Sequence, residues 1–162
     1  MYSSDLENQL IIVDIADALR DYCSIQLDID DTKVKAAAII AQKIDISRVI
    51  GVANVQRCIT PATQEDENLK LLVIPPLCYF TYSRLLTTFQ GTMTDSGYAT
   101  EAGANEKDTA KSVALDIKAI AETFLTDVID FLKLEDPNSE ADGNKLTPRI
   151  RVFGGEERRG SN

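Results

Sequence analysis

Histidine and tryptophan are absent from this chain of 162 residues, and cysteine occurs three times. Without histidine there is no Ser–His or Cys–His nucleophile pair and no imidazole metal ligand. That absence is the tightest constraint on chemistry. The cysteines, Cys23, Cys58 and Cys78, are odd in number and form no C-x-x-C pair. They read as buried thiols of a reducing compartment, not as a disulfide framework or a metal clip. Also missing is any apolar run of about 18 residues, and the opening "MYSSDLENQL" has no basic stretch leading into an apolar one. Neither a membrane span nor a signal peptide is expected.

What is present suits one domain: 44% hydrophobic residues can fill a core. Seventeen Lys and Arg against 26 Asp and Glu give a net charge of −9, which disfavours a whole-molecule grip on nucleic-acid phosphates. The charge is uneven. Residues 145–162 carry five basic and two acidic side chains, a net +3 that leaves −12 on residues 1–144.

Helical signals dominate. Ser4 with Glu7 fits a capping box, and a helix is expected from there to about Arg20. Residues 24–31, "SIQLDIDD", read as extended and then turn-like. Asp31 is the expected N-cap of a helix in which Val34, Ala37, Ala38 and Ala41 fall at helical spacing, and Gly51 closes a following turn. Residues 54–67 are polar, a surface loop or helix start. In "LKLLVIPPLCYFTYSRLLTTF" proline removes amide donors, so Pro75 and Pro76 predict a helix, a bend, and a second helix from about Pro76 to Phe89. The clearest element is 105–134. There Ala110, Val113, Ile117, Ile120, Phe124, Val128 and Phe131 mark one apolar face, with Asn105 as cap and Asp108 in the first turn.

Two segments fall outside this pattern. "GTMTDSGYATEAGA", residues 91–104, is longer than helix connections usually are, and such loops tend to be functional or disordered. After Leu134 the chain turns acidic and turn-rich, then basic in "KLTPRIRVFGGEERRGSN". The expected organisation is a helical domain over 1–134 and an extended or disordered arm over 135–162. The fold class is mainly α: a small helical bundle with a long helix in its C-terminal half, an extended loop and a C-terminal arm.

Candidate sites weigh as follows. Five residues separate Gly91 from Gly97, and Tyr98 stands where a phosphate loop needs lysine. A flexible loop is the better account. "DIDD" at 28–31 opens like a calcium loop, but the required glycine is missing and Ile39 stands at the twelfth position where glutamate is needed. Asp127 and Asp130, one turn apart with Glu122 further back, could hold magnesium only with further acids on a second helix, which the sequence does not offer. Tyr79, Phe80 and Tyr82 beside Arg84 lack a surrounding basic groove and read as core. The basic tail, Lys145, Arg149, Arg151, Arg158 and Arg159, suits an acidic protein surface better than DNA, given the acidic body. No catalytic, cofactor or metal residues are expected, and no enzyme activity.

Three stretches in order, "AAAIIAQKIDISRVIG", "LLVIPPLCYFTYSRLLTTF" and the long 105–134 helix after its Gly/Thr loop, resemble head–tail connector proteins of tailed bacteriophages, particularly neck ring proteins of phages infecting Bacteroides-type hosts. The likeness covers about residues 30–134. It implies a virion protein of the neck, made in the host cytoplasm, docked on the portal protein and on other neck or tail proteins. Copies would form a ring, dodecameric in that family, through which genomic DNA passes without specific binding and without a membrane. A heterologous ring contact needs two different surfaces per subunit. On this reading the assembly contacts are Gly91, Thr92, Thr94, Gly97 and Tyr98 of the loop and Arg149, Arg151 and Phe153 of the arm. Deleting 92–102 is expected to leave the bundle folded but unable to attach. The alternative is a soluble helical adaptor or regulatory subunit that binds a single protein partner.

Overall fold

A computed structural model describes residues 8–25, 29–88, 104–139, 141–143 and 146, and all regular structure among them is helical. The elements are α1 (Ile15–Cys23), α2 (Asp31–Ala41), a π turn (Gln42–Ile46), α3 (Ser47–Ile50), α4 (Val52–Ile59), α5 (Gln64–Thr88) and α6 (Ala104–Glu135). The chain is a helical bundle, as its composition predicts.

The first helix is shorter than expected. It begins at Ile15, because "LIIVDIADAL" is apolar on every side and its first part is used differently: Leu10 and Ile11 are buried in a non-helical segment. Gln42 holds that segment. Its Oε1 accepts from the Ile11 amide at 2.9 Å and its Nε2 donates to the Gln9 carbonyl at 2.7 Å. Ser4 and Glu7 lie outside the described residues. Ser24 ends α1 with φ 53°, its amide bonded to the Arg20 carbonyl at 3.1 Å.

The cap of α2 is Asp30, one residue before the expected Asp31. Its carboxylate accepts from the Thr32 amide at 2.8 Å, while Asp31 instead pairs with Lys35 at 2.7 Å. Val34, Ala37, Ala38 and Ala41 are all buried, as their spacing predicts. The helix then loosens into the π turn, which buries Gln42, Asp45 and Ile46. Gly51, at φ 86°, lets the backbone turn straight from α3 into α4, a conformation that side chains disfavour. The polar reading of 54–67 misses α4, whose inner face is only Val55 and Cys58.

Pro75 and Pro76 do not divide α5, which runs unbroken for 25 residues. Each proline costs about 3 kcal/mol or more in a helix interior. Against that stand Leu69, Val73, Leu77 and Leu85, all 0% exposed, each worth about 1.5–3 kcal/mol of burial. Helix α5 packs against α1, α2, α4 and α6 together, so burial outweighs the two lost amide bonds.

Helix α6 spans 32 residues and runs antiparallel to α5: Ser83 Oγ donates to the Ala114 carbonyl at 2.7 Å, while the earlier Tyr79 stacks on the later Phe124. Its buried face is Ala110, Ala114, Ile117, Ala121, Leu125, Val128, Ile129 and Leu132. That face is rotated from the expected one, leaving Ile120 and Phe124 exposed at 43% and 37%. Alanines line the true seam because they let two long helices approach closely. The side chains of Asn105 and Asp108 lie outside the described set. Beyond Glu135 the chain stays on the body: Ala141 is buried, the Asp142 amide bonds the Val49 carbonyl at 3.2 Å, and Leu146 packs on the core.

Candidate functional site

A cleft of about 580 Å³ opens where α3, α4, α5 and α6 meet. Arg57 of α4 stands at its centre. Its Nε bonds Asp66 at 2.6 Å, its terminal nitrogens reach both Glu135 oxygens at 3.1 and 3.3 Å, and it also donates to Asn54 Oδ1 at 3.0 Å. Asp66 is fixed by the start of α5. Its second oxygen accepts from the Ala62 and Thr63 amides, and the Thr63 hydroxyl accepts in return from the Asp66 amide. This reciprocal pair is a capping box, readable in the sequence as T-x-x-D. The Arg57 bond, then the Ala62 amide, holds the Asp66 carboxyl below its ordinary range, while Glu135 above all raises Arg57. Arg57, Asp66 and Glu135 satisfy one another here, so the chemistry of this cluster is clamping: one guanidinium ties the end of α6 to the start of α5.

A smaller cleft, about 220 Å³, lies between α5 and α6. Arg84, Lys111 and Lys118 border it, and Arg84 Nε bonds Asp45 of the π turn at 2.8 Å. A third, about 250 Å³, runs along α1 and is lined by Val13, Asp14, Ala16 and Asp17 from one side and Ile29, Asp31 and Lys35 from the other.

The expected contact residues Gly91, Thr92, Thr94, Gly97, Tyr98, Arg149, Arg151 and Phe153 lie outside the described residues. Asp127 and Asp130 are both exposed on α6, and among the described residues no group of three or more Cys, Asp or Glu is placed to share a metal ion. The aromatics after the double proline pack. Phe80 is 3% exposed, Tyr79 stacks on Phe124 with centroids 5.5 Å apart and planes at 7°, and the Tyr79 hydroxyl donates to the Tyr22 carbonyl at 2.9 Å. Burial pushes the Cys23 thiol up to about 11 and those of Cys58 and Cys78 to about 12, so none is a thiolate nucleophile near neutrality. Sequence reasoning missed Arg57, Gln42 and Asp45. Only Arg57 left a trace, through the capping box beside it.

Over residues 47–145, more than half of its length, the chain matches DUF6712, a family of unknown function. It belongs to that family. The DUF6712 stretch contains Arg57, Asp66, Arg84, Tyr79, Phe124 and Glu135, and so the whole clamp; it begins after Gln42 and Asp45. No curated protein matches the chain, and no solved structure does.

Proposed function

We propose that this DUF6712 chain is a structural subunit of a tailed-phage neck, one of several copies in a ring between portal and tail that passes and retains DNA. The resemblance stretches fall on α2 to α3, on α5 and on α6, the scaffold of the bundle. One observation carries the reading: large apolar side chains stand exposed in pairs on different helices. Ile40 and Ile44, one turn apart, are 46% and 52% exposed, and Ile120 and Phe124 form a second pair on α6. Single exposed apolar residues are ordinary, but paired ones on separate elements supply the two surfaces that a ring subunit needs. The acidic body suits a lumen along which a duplex slides without being held.

Quantitative mass spectrometry of purified tailed particles tests this. One or two copies of the chain per portal subunit are expected. Absence from clean particles would overturn the neck assignment and leave the soluble adaptor.

A further inference from the structure

Along α5 the sequence sets Arg84 among aromatic and aliphatic neighbours, and the fold brings two lysines to it from the next helix. Lys111 and Lys118 are seven residues apart on α6, nearly two whole turns, so both project from one side of that helix and are about 10 Å apart along it. They border the same cleft of about 220 Å³ as Arg84. The floor between them is apolar: Phe80 and Ala114 line it and are 3% and 2% exposed. Three cations around one small hollow stand out in a chain of net charge −9.

Protein groups use only part of this charge. Asp45 is the one carboxylate in the lining, and it takes Arg84 Nε at 2.8 Å. The terminal nitrogens of the Arg84 fork make no hydrogen bond among the described residues. Glu122, one turn from Lys118, approaches its ammonium only to 4.0 Å, and Lys111 has no ion pair among the described residues. The side chains of Arg84 and Lys118 are just 30% and 38% exposed. An anion seated between them is therefore shielded in part from water, where attraction is stronger than on an open surface.

We propose that the cleft between α5 and α6 binds a single phosphate group, held by Arg84, Lys111 and Lys118. Charge and size select this ligand. The lining carries three cations against one carboxylate, and a phosphate group carries about −1.5 to −2 near neutral pH. A volume of about 220 Å³ compares with ~30 Å³ for each water in the liquid, so one tetrahedral anion and its remaining waters fit. It falls below the roughly 300–1,000 Å³ of sites that enclose a whole drug-sized ligand, so the rest of a phosphate ester stays outside. The free arms of the Arg84 fork suit paired oxygens, and the lysines add point charges on flexible stems. Duplex DNA fits less well: beyond the cleft its phosphates meet a body of residues 1–144 that carries −12. The site stands whether or not the chain belongs to a neck.

The test is titration of the full chain with inorganic phosphate at constant ionic strength, read by amide chemical shifts. Saturable shifts are expected around Arg84 and from Lys111 to Lys118, with a Kd of about 1 mM or tighter. K111Q/K118Q keeps side-chain length and loses the charge; it should bind at least about tenfold more weakly, with circular dichroism confirming its fold. K133Q, at the far end of α6, should bind as wild type does. Glucose 6-phosphate separates the sources of the group: shifts at the same residues assign the cleft to small phosphate esters, whereas a response to inorganic phosphate alone assigns it to the free ion. No saturation by about 50 mM, about fiftyfold above the expected Kd, overturns the proposal, as does equal affinity in K111Q/K118Q. Acetate that binds more tightly than phosphate would give the cleft to a carboxylate of a protein partner. Duplex DNA that displaces phosphate would give it to nucleic acid. Either result also overturns the proposal.

Discussion

Arg57 holds three helices because its planar fork meets two carboxylates and an amide oxygen at once. Lysine offers a point charge and cannot reproduce that geometry. Arg57→Lys should lower the Tm by a few degrees and Arg57→Ala by about 5 °C or more, read by thermal unfolding. The pH response follows from Asp66. Its folded pKa lies below its unfolded value of about 3.9, so its contribution is complete above about pH 5 and fades as the pH falls through about 4 and below. Wild type should lose stability on acidification through that range, and Asp66→Asn should flatten the curve of Tm against pH. Gln42→Ala removes both bonds to the N-terminal segment and should cost about 1–3 kcal/mol. Faster hydrogen exchange at the Ile11 amide would confirm it. Of these residues only the Asp66 cap is visible in the sequence, because a capping box is local. Gln42 meets Ile11 across 31 positions and Arg57 meets Glu135 across 78, distances that no short-range pattern encodes.

Helices declare themselves through periodicity, and α2 and α6 are legible for that reason. Their edges and phases are less so. The stripe expected on α6 follows its largest apolar side chains, whereas the true seam is chosen by close approach to α5 and takes in Ala110, Ala114 and Ala121 beside its larger side chains. Proline misleads for a related reason: the local penalty of Pro75 and Pro76 is real but smaller than the burial gained by a helix enclosed on several sides. Pro75 is half-buried, so Pro75→Ala should regain an amide donor and a better helix former at little packing loss. Its Tm should rise. A fall would mean that the helix depends on a bend at that position. Pro76 is buried, and there the same change would also leave a void.

For the molecule as a whole, net charge sets long-range behaviour and the distribution of charge sets what it meets. A net charge of −9 predicts repulsion between copies. Raising ionic strength from about 0.1 M to about 1 M shortens the screening length from ~10 Å to ~3 Å and should ease that repulsion, so the self-association of a ring subunit should strengthen with salt, measured by sedimentation. Association that weakens with salt would instead mean that opposite charges meet across the contact. The total charge is read directly from the sequence, whereas the burial of Asp45 against Arg84 needs the fold.

The π turn between Ala41 and Ser47 acts as a phase shifter. Five residues fill one wide loop there, so the helix enters and leaves it with its core side facing the same wall. Removing Lys43, an exposed side chain of no packing value, would let the backbone close into ordinary α-helix. Everything beyond would then swing by about a hundred degrees, carrying Val49 and Ile50 out toward water. The length of this segment is thus under tighter restraint than the identity of its outer residues. Substitution at position 43 is a surface event, whereas deletion there turns the screw.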